Sequence, residues 1–290
     1  MRLKNKLFIG LLSLFLSSDI FAQDSRLEER LNKKILKNEN PDIYALLIAG
    51  TNIEDTTKLL AETSYRHLMS ISNFYKSLLS LNINPKNLFI LDEKGDKDKE
   101  NTRSFYPVDG VSNHENLEKT LNYLSNNIDK NDIFLLFLTG HGQNNSIKYY
   151  HNWFFLNKIL VEDNMMDRKF IIGDQNLYGK ELNNYLDCLA PKVGIIIGDF
   201  CYSGFLQNDL FRSDFIVISS AGKDEIADGF NGETFGFYFA EGLKLNSSIG
   251  KVFDYARKKH EEKYHNKREW RMDHTPIIHS LLNPEFITIR

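Results

Sequence analysis

The chain reads as an α/β protein, a three-layer α/β/α sandwich around a mostly parallel sheet of about six strands. Three observations predict this. Short apolar runs recur along the chain without polar alternation, so each fits a strand buried on both faces. Helix-period segments separate several of them, as the crossovers of a parallel sheet require. No internal repeat, low-complexity tract or composition break divides residues 41–290.

In order along the chain, residues 44–49 (YALLIA) form the first apolar run. Residues 56–82 carry helical spacing through Leu59, Leu60, Leu68, Ile71, Phe74, Tyr75 and Leu78. Residues 88–91 (LFIL) are a second strand, and the charged, glycine-containing 92–112 reads as a surface loop. A helical pattern over 116–128 precedes a third strand at 133–138 (IFLLFL). Helix 182–189 leads to a fourth strand at 193–197 (VGIII), and 215–218 (FIVI) is the fifth. One or two helices fill 233–265, and 286–289 reads as a final strand. The aromatic segment 146–172, with Tyr149, Tyr150, Trp153, Phe154 and Phe155, fits a hairpin on the core or an aromatic wall for an extended peptide.

The N-terminus differs in kind. Arg2, Lys4 and Lys6 precede the apolar run 7–16, and Ala22 follows at a cleavage point. This is the layout of a secretory signal peptide over 1–22, and it predicts export to the periplasm or the medium. The run is too short to span a bilayer, which needs about 20 apolar residues, so no stable membrane association is expected once it is removed. Residues 23–40, with Leu27, Leu31 and Ile35 at helical spacing, read as a leader or linker before a single domain at 41–290.

Composition narrows the function. Of 290 residues, 42% are hydrophobic and 26% charged, which excludes the disordered class. A net charge of -3, with no basic cluster, gives no footprint for nucleic acid. The two cysteines, Cys188 and Cys201, make neither a disulfide framework nor a CxxC metal site, so no metal is expected. In an exported protein a single Cys188–Cys201 bridge is their bland reading.

The loops that leave the carboxyl ends of parallel strands usually carry the site. The third strand ends in Thr139-Gly140-His141-Gly142, and the fourth in Gly198-Asp199-Phe200-Cys201-Tyr202-Ser203-Gly204. If the two strands are neighbours, His141 and Cys201 meet. A thiol attacks a carbonyl as thiolate and needs a base beside it, a role that histidine fills near neutral pH. The backbone amides of Gly142 and Cys201 are the candidates for an oxyanion hole.

This pair of motifs is accompanied by Ser64-Tyr65-Arg66-His67, a helix holding Tyr75, and the run 81–91 (LNINPKNLFIL). Together they resemble the caspase-like cysteine peptidases, clan CD, and within them the legumain family, over roughly 41–245. The resemblance implies a caspase-like sandwich, Cys201 as nucleophile and His141 as general acid and base. It implies that Arg66 and Asp199 line the S1 pocket, that Ser219 and Ser220 form its far wall, and that Asp224 and Glu225 lie in a specificity-shaping loop. Ser64 stands where legumain has the asparagine that orients the histidine, and Gly140 where legumain has an acid. A pocket with both a cation and a carboxylate suits a side-chain amide, so Asn or protonated Asp is the expected P1 residue. The partner is a peptide or protein substrate, and no metal or organic cofactor is implied. The rival readings are a transamidase, in which an amine resolves the thioester, and a non-catalytic caspase-like binding module.

Overall fold

The computed structural model describes residues 26–32, 41–50, 58–92, 106–144, 168–172, 175–227, 229–230, 232–265 and 275–289. The predicted signal peptide and the aromatics at 149–155 lie outside these residues. In chain order the elements are α1 (26–31), β1 (Ile43–Gly50), α2 (Lys58–Ser80), β2 (Leu88–Asp92), β3 (Gly110–Val111) and α3 (His114–Ser125). Next come β4 (Ile133–Gly140), β5 (Gly142–Asn144), β6 (Arg168–Ile172), β7 (Gln175–Tyr178), α4 (Gly179–Leu186) and β8 (Val193–Asp199). The chain continues through α5 (Leu206–Asp209), β9 (Phe215–Ser219), β10 (Gly229–Phe230), β11 (Glu233–Thr234), α6 (Phe235–Leu243), α7 (Ile249–His265) and β12 (Ile277–Ser280).

The apolar runs pair into one seven-stranded sheet in the order β12-β9-β8-β4-β1-β2-β3. All its pairings are parallel except β12 on β9. Successive side chains of each strand feed opposite layers. Ala45, Leu47, Leu135, Phe137, Ile195 and Ile197 join the core beneath α2, α6 and α7. Tyr44, Leu46, Ile48, Phe134, Leu136 and Ile196 join the core beneath α1, α3, α4 and α5. A strand with both faces covered has no polar face, which is why these runs lack alternation.

The helices show the matching stripes. The buried positions of α2 include His67, Ile71, Phe74 and Leu78, spaced by three and four, with Ser70 beside them. The apolar end of this stripe packs in the core, and its polar end, His67 and Ser70, reaches the carboxyl ends of the strands. The α3 helix opens at Asn113, whose side chain accepts from the Asn116 N–H at 2.8 Å.

One expectation changes. The final strand is not at 286–289: Pro284–Phe286 forms a 3-10 turn capped by Asn283, and Thr288 makes one isolated bridge to Ser248. Proline at the first position of that turn favours the helical start. The closing strand is instead β12, at the sheet edge. In the segment 23–40, read as a leader helix or linker, residues 26–31 are helical. Leu27 is buried in the same core as α3, and the Arg30 guanidinium donates to Asp109 Oδ2 at 2.6 Å and to the Leu88 carbonyl at 2.8 Å.

The order of the sheet positions the site. From β1 the chain runs outward through β2 and β3, then returns to β4 on the other side of β1. The crevice above such a reversal, at the carboxyl ends of the strands, is where open α/β sheets bind ligands.

Candidate active site

His141 leaves the end of β4 at this reversal. Its N–H donates to the Gly50 carbonyl at the end of β1, 3.3 Å away, and its carbonyl accepts from the Ile171 N–H of β6 at 2.9 Å. The backbone of His141 is thus pinned from two sides. Thr139 on β4 is level with Asp199 on β8, so His141 and Cys201 each lie two residues beyond the same rung of the ladder.

Glycine makes this approach feasible. A Cβ at Gly142 would overlap the carbonyl oxygen of Cys201 and come within 2.8 Å of the Phe200 ring. At Gly140 a Cβ would overlap the Gly50 carbonyl. The histidine turn therefore lies directly on the cysteine turn, and the flanking glycines permit it.

The imidazole of His141 has its Nε2 buried and without a hydrogen-bond partner among the described residues. Burial, then the positive charge of Arg66, push its pKa down to about 4, so the ring is neutral in the resting protein. Against it stands His67 on α2, with ring centroids 5.4 Å apart and an interplanar angle of 77°. Arg66 Nε donates to His67 Nε2 at 3.4 Å, and His67 Nδ1 lies 2.8 Å from Thr139 Oγ1. The proton of His67 accordingly sits on Nδ1 and is given to Thr139. Burial, Arg66 and His141 all keep His67 neutral.

Cys201 is half-buried, and its Sγ donates to the Ala227 carbonyl at 3.8 Å. Burial pushes the thiol above its ordinary value, against the pull of the Arg66 charge and the Ala227 bond. Resting thiol and resting imidazole are both neutral. Cys188 cannot bridge to Cys201: both thiols are free, and Cys188 lies before β8 while Cys201 lies beyond its other end.

The remaining predicted residues divide. Arg66 stands beside His67, and its charge acts on His67, His141, Asp199 and Cys201. Asp199 is buried, and its Oδ2 accepts from Thr234 Oγ1 at 2.5 Å. Thr234 in turn caps α6 through the Phe237 N–H and meets Ser70 Oγ at 2.9 Å. Asp199 is thus bonded to the residue that caps α6. Burial raises its carboxyl, opposed by the Thr234 bond and by Arg66.

Ser220 follows on this side, its hydroxyl beside the Asp199 carboxyl. Ser219 faces the opposite layer, where its Oγ accepts from Gln207 Nε2 at 2.8 Å. Ser64 lies in α2, where its side chain is outside the described residues. Asp224 pairs with the buried Arg168 at 2.8 Å. The roles of Thr139, Thr234 and Arg168 have no sequence motif. His67 could have been found from the buried stripe of α2.

The layered sheet, with its site at the reversal of strand order, defines an α/β/α sandwich protein with a cysteine–histidine crevice. No protein-family model matches the chain, and no curated protein does. Solved structures similar to it include the two that follow. Protein GSU0716 from Geobacter sulfurreducens is 12% identical at a TM-score of 0.50, covering 86% of this chain and 98% of that one. Caspase-1 from Spodoptera frugiperda is 11% identical at a TM-score of 0.49, covering 88% of this chain and 95% of that one. At such identity the likeness to GSU0716 is one of fold.

Proposed function

We propose that this chain is an exported cysteine endopeptidase with Cys201 as nucleophile and His141 as its acid and base. One observation carries the proposal. The turns bearing the two residues are in direct contact at Gly142 and Cys201, and beside them His141 keeps a buried Nε2 without a partner among the described residues. A buried ring nitrogen without a partner is costly unless it serves a purpose, and an acceptor for the thiol proton is one.

Cys201 Sγ attacks the scissile carbonyl carbon while its proton passes to His141 Nε2. The oxyanion is held by the amides of Gly142 and Cys201. Collapse expels the amine, protonated by His141, and leaves a thioester. Water, deprotonated by the same imidazole, hydrolyses it and returns the thiol. No cofactor enters these steps.

The guanidinium of Arg66 lies beside His67, and its charge acts on His141 and Cys201, so it is the cation we assign to the P1 side chain. A cation beside the dyad suits an acceptor, so Asn, whose amide oxygen can accept from a guanidinium, or Asp is the P1 residue of this reading.

The test uses peptidyl electrophiles with Asp, Asn, Arg or Lys at P1. The Asp or Asn probe is expected to label the intact protein and to fail on Cys201→Ala. Arg66→Ala is expected to lower the labelling efficiency of the Asp probe about 100-fold, the worth of one charge-assisted contact. Preferential labelling by the Arg or Lys probe would overturn the pocket, and labelling that survives Cys201→Ala would overturn the nucleophile.

A further inference from the structure

The segment that leans on the nucleophile is the loop 221–227 after β9. Tyr202, the residue after Cys201, is in the left-handed region at φ 66°, where a residue with a side chain needs outside support. Its N–H donates to the carbonyl of Glu225 at 2.7 Å. Two residues further on, the Ala227 carbonyl accepts from Cys201 Sγ. Gly204 packs so closely on the backbone of Gly222 and Lys223 that a Cβ would be 2.7 Å from the Gly222 carbonyl carbon. The loop and the nucleophile turn are therefore one packed unit.

The Glu225 carboxylate ties the loop in two places. Glu225 Oε2 accepts from the Gly222 N–H at 2.8 Å, which closes the loop on itself. The same oxygen accepts from the Thr275 N–H at 2.7 Å, just ahead of β12. Thr275 Oγ1 adds a longer bond to Oε1 at 3.4 Å. The neighbouring Asp224 is anchored separately, on Arg168.

We infer that Glu225 is a positioning residue for the nucleophile: its carboxylate ties loop 221–227 to Thr275, and its carbonyl holds the left-handed turn that aims Cys201. It touches no reacting atom. It acts through Tyr202 and Ala227, on the Cys201 N–H that faces the oxyanion and on the direction of Sγ. The inference rests on the peptidase reading for its effect on labelling, and on geometry alone for its effect on the turn.

The experiment uses the full chain carrying Cys188→Ser, so that one thiol remains. Glu225→Ala and Glu225→Gln are compared by amide exchange over 200–205 and by the kinetics of labelling with the Asp-P1 electrophile. Because both short bonds end on one oxygen, the glutamine carbonyl can accept both. Glu225→Ala is expected to speed exchange at least about tenfold and to slow the maximal labelling rate at least about tenfold, with probe affinity kept within about threefold. Glu225→Gln is expected to stay within about threefold of the parent on all counts, and an unchanged melting midpoint excludes general unfolding. The idea fails if Glu225→Ala matches the parent, or if Glu225→Gln falls as far as Glu225→Ala. If no peptidyl probe labels the parent, the peptidase reading fails instead. Exchange over 200–205 and the rate of Cys201 alkylation by iodoacetamide then still decide the role of Glu225.

Discussion

His141 and Cys201 rest as a neutral pair, because burial disfavours the charged form of each and no ion pair offsets it. The consequence is a pH profile. Alkylation of Cys201 by iodoacetamide, in a Cys188→Ser background, is expected to rise with pH through an inflection above that of free cysteine, about 8.5. Arg66→Ala is expected to move the inflection further up, since the guanidinium favours the thiolate. A rate already on its plateau near pH 6 would mean a thiolate–imidazolium pair and would sink this account. The meeting of the two glycine-flanked turns was legible in the sequence, since both follow apolar runs that fit neighbouring strands. The pocket was less so, because the resemblance carries no side-chain direction. Asp199 shares the strand face of Ile195 and Ile197 and is taken up by α6. Ser219 shares the face of Val217 and meets α5.

Among the elements, the β4–β5 junction is the most constrained, since Gly142 is pressed on the Cys201 carbonyl. Gly142→Ala is expected to destabilise the protein by about 1–3 kcal/mol through overpacking, read as a lower denaturation midpoint. It is also expected to reduce labelling of Cys201 under conditions where the variant is fully folded. Full labelling would mean that the two turns need not touch. The central strands were readable because both their faces are covered, and an apolar run of that length admits few other readings. The edge was not. β12 is only half-buried and carries His279 and Ser280, so its sequence lacks the apolar signature. The segment 286–289 has that signature yet follows a capped proline turn. β3 and β10–β11 are two-residue strands, too short for any period to register.

At the scale of the whole molecule, α1 is an integral part of the core. Arg30 reaches Asp109, whose side chain is 0% exposed, and its guanidinium lies 4.3 Å from the centroid of the Phe89 ring. Removing one partner of such a pair strands a buried charge. Arg30→Ala is expected to cost about 3 kcal/mol, measured by denaturant unfolding. A chain beginning at residue 41 is expected to melt below one beginning at residue 26. Equal midpoints would return residues 26–32 to the status of a linker.

The pairing of β4 with β8 also sets an order of events. Residues 141 and 201 stand sixty apart in the chain, and all of β5, β6, β7 and α4 lies between them. Closing so long an excursion is a late and slow step of folding. Until it closes, the cysteine is an ordinary thiol with no base at hand. A chain whose sheet is incomplete therefore holds residues 141 and 201 as two unrelated side chains, and whatever the two do together arrives only with the sheet.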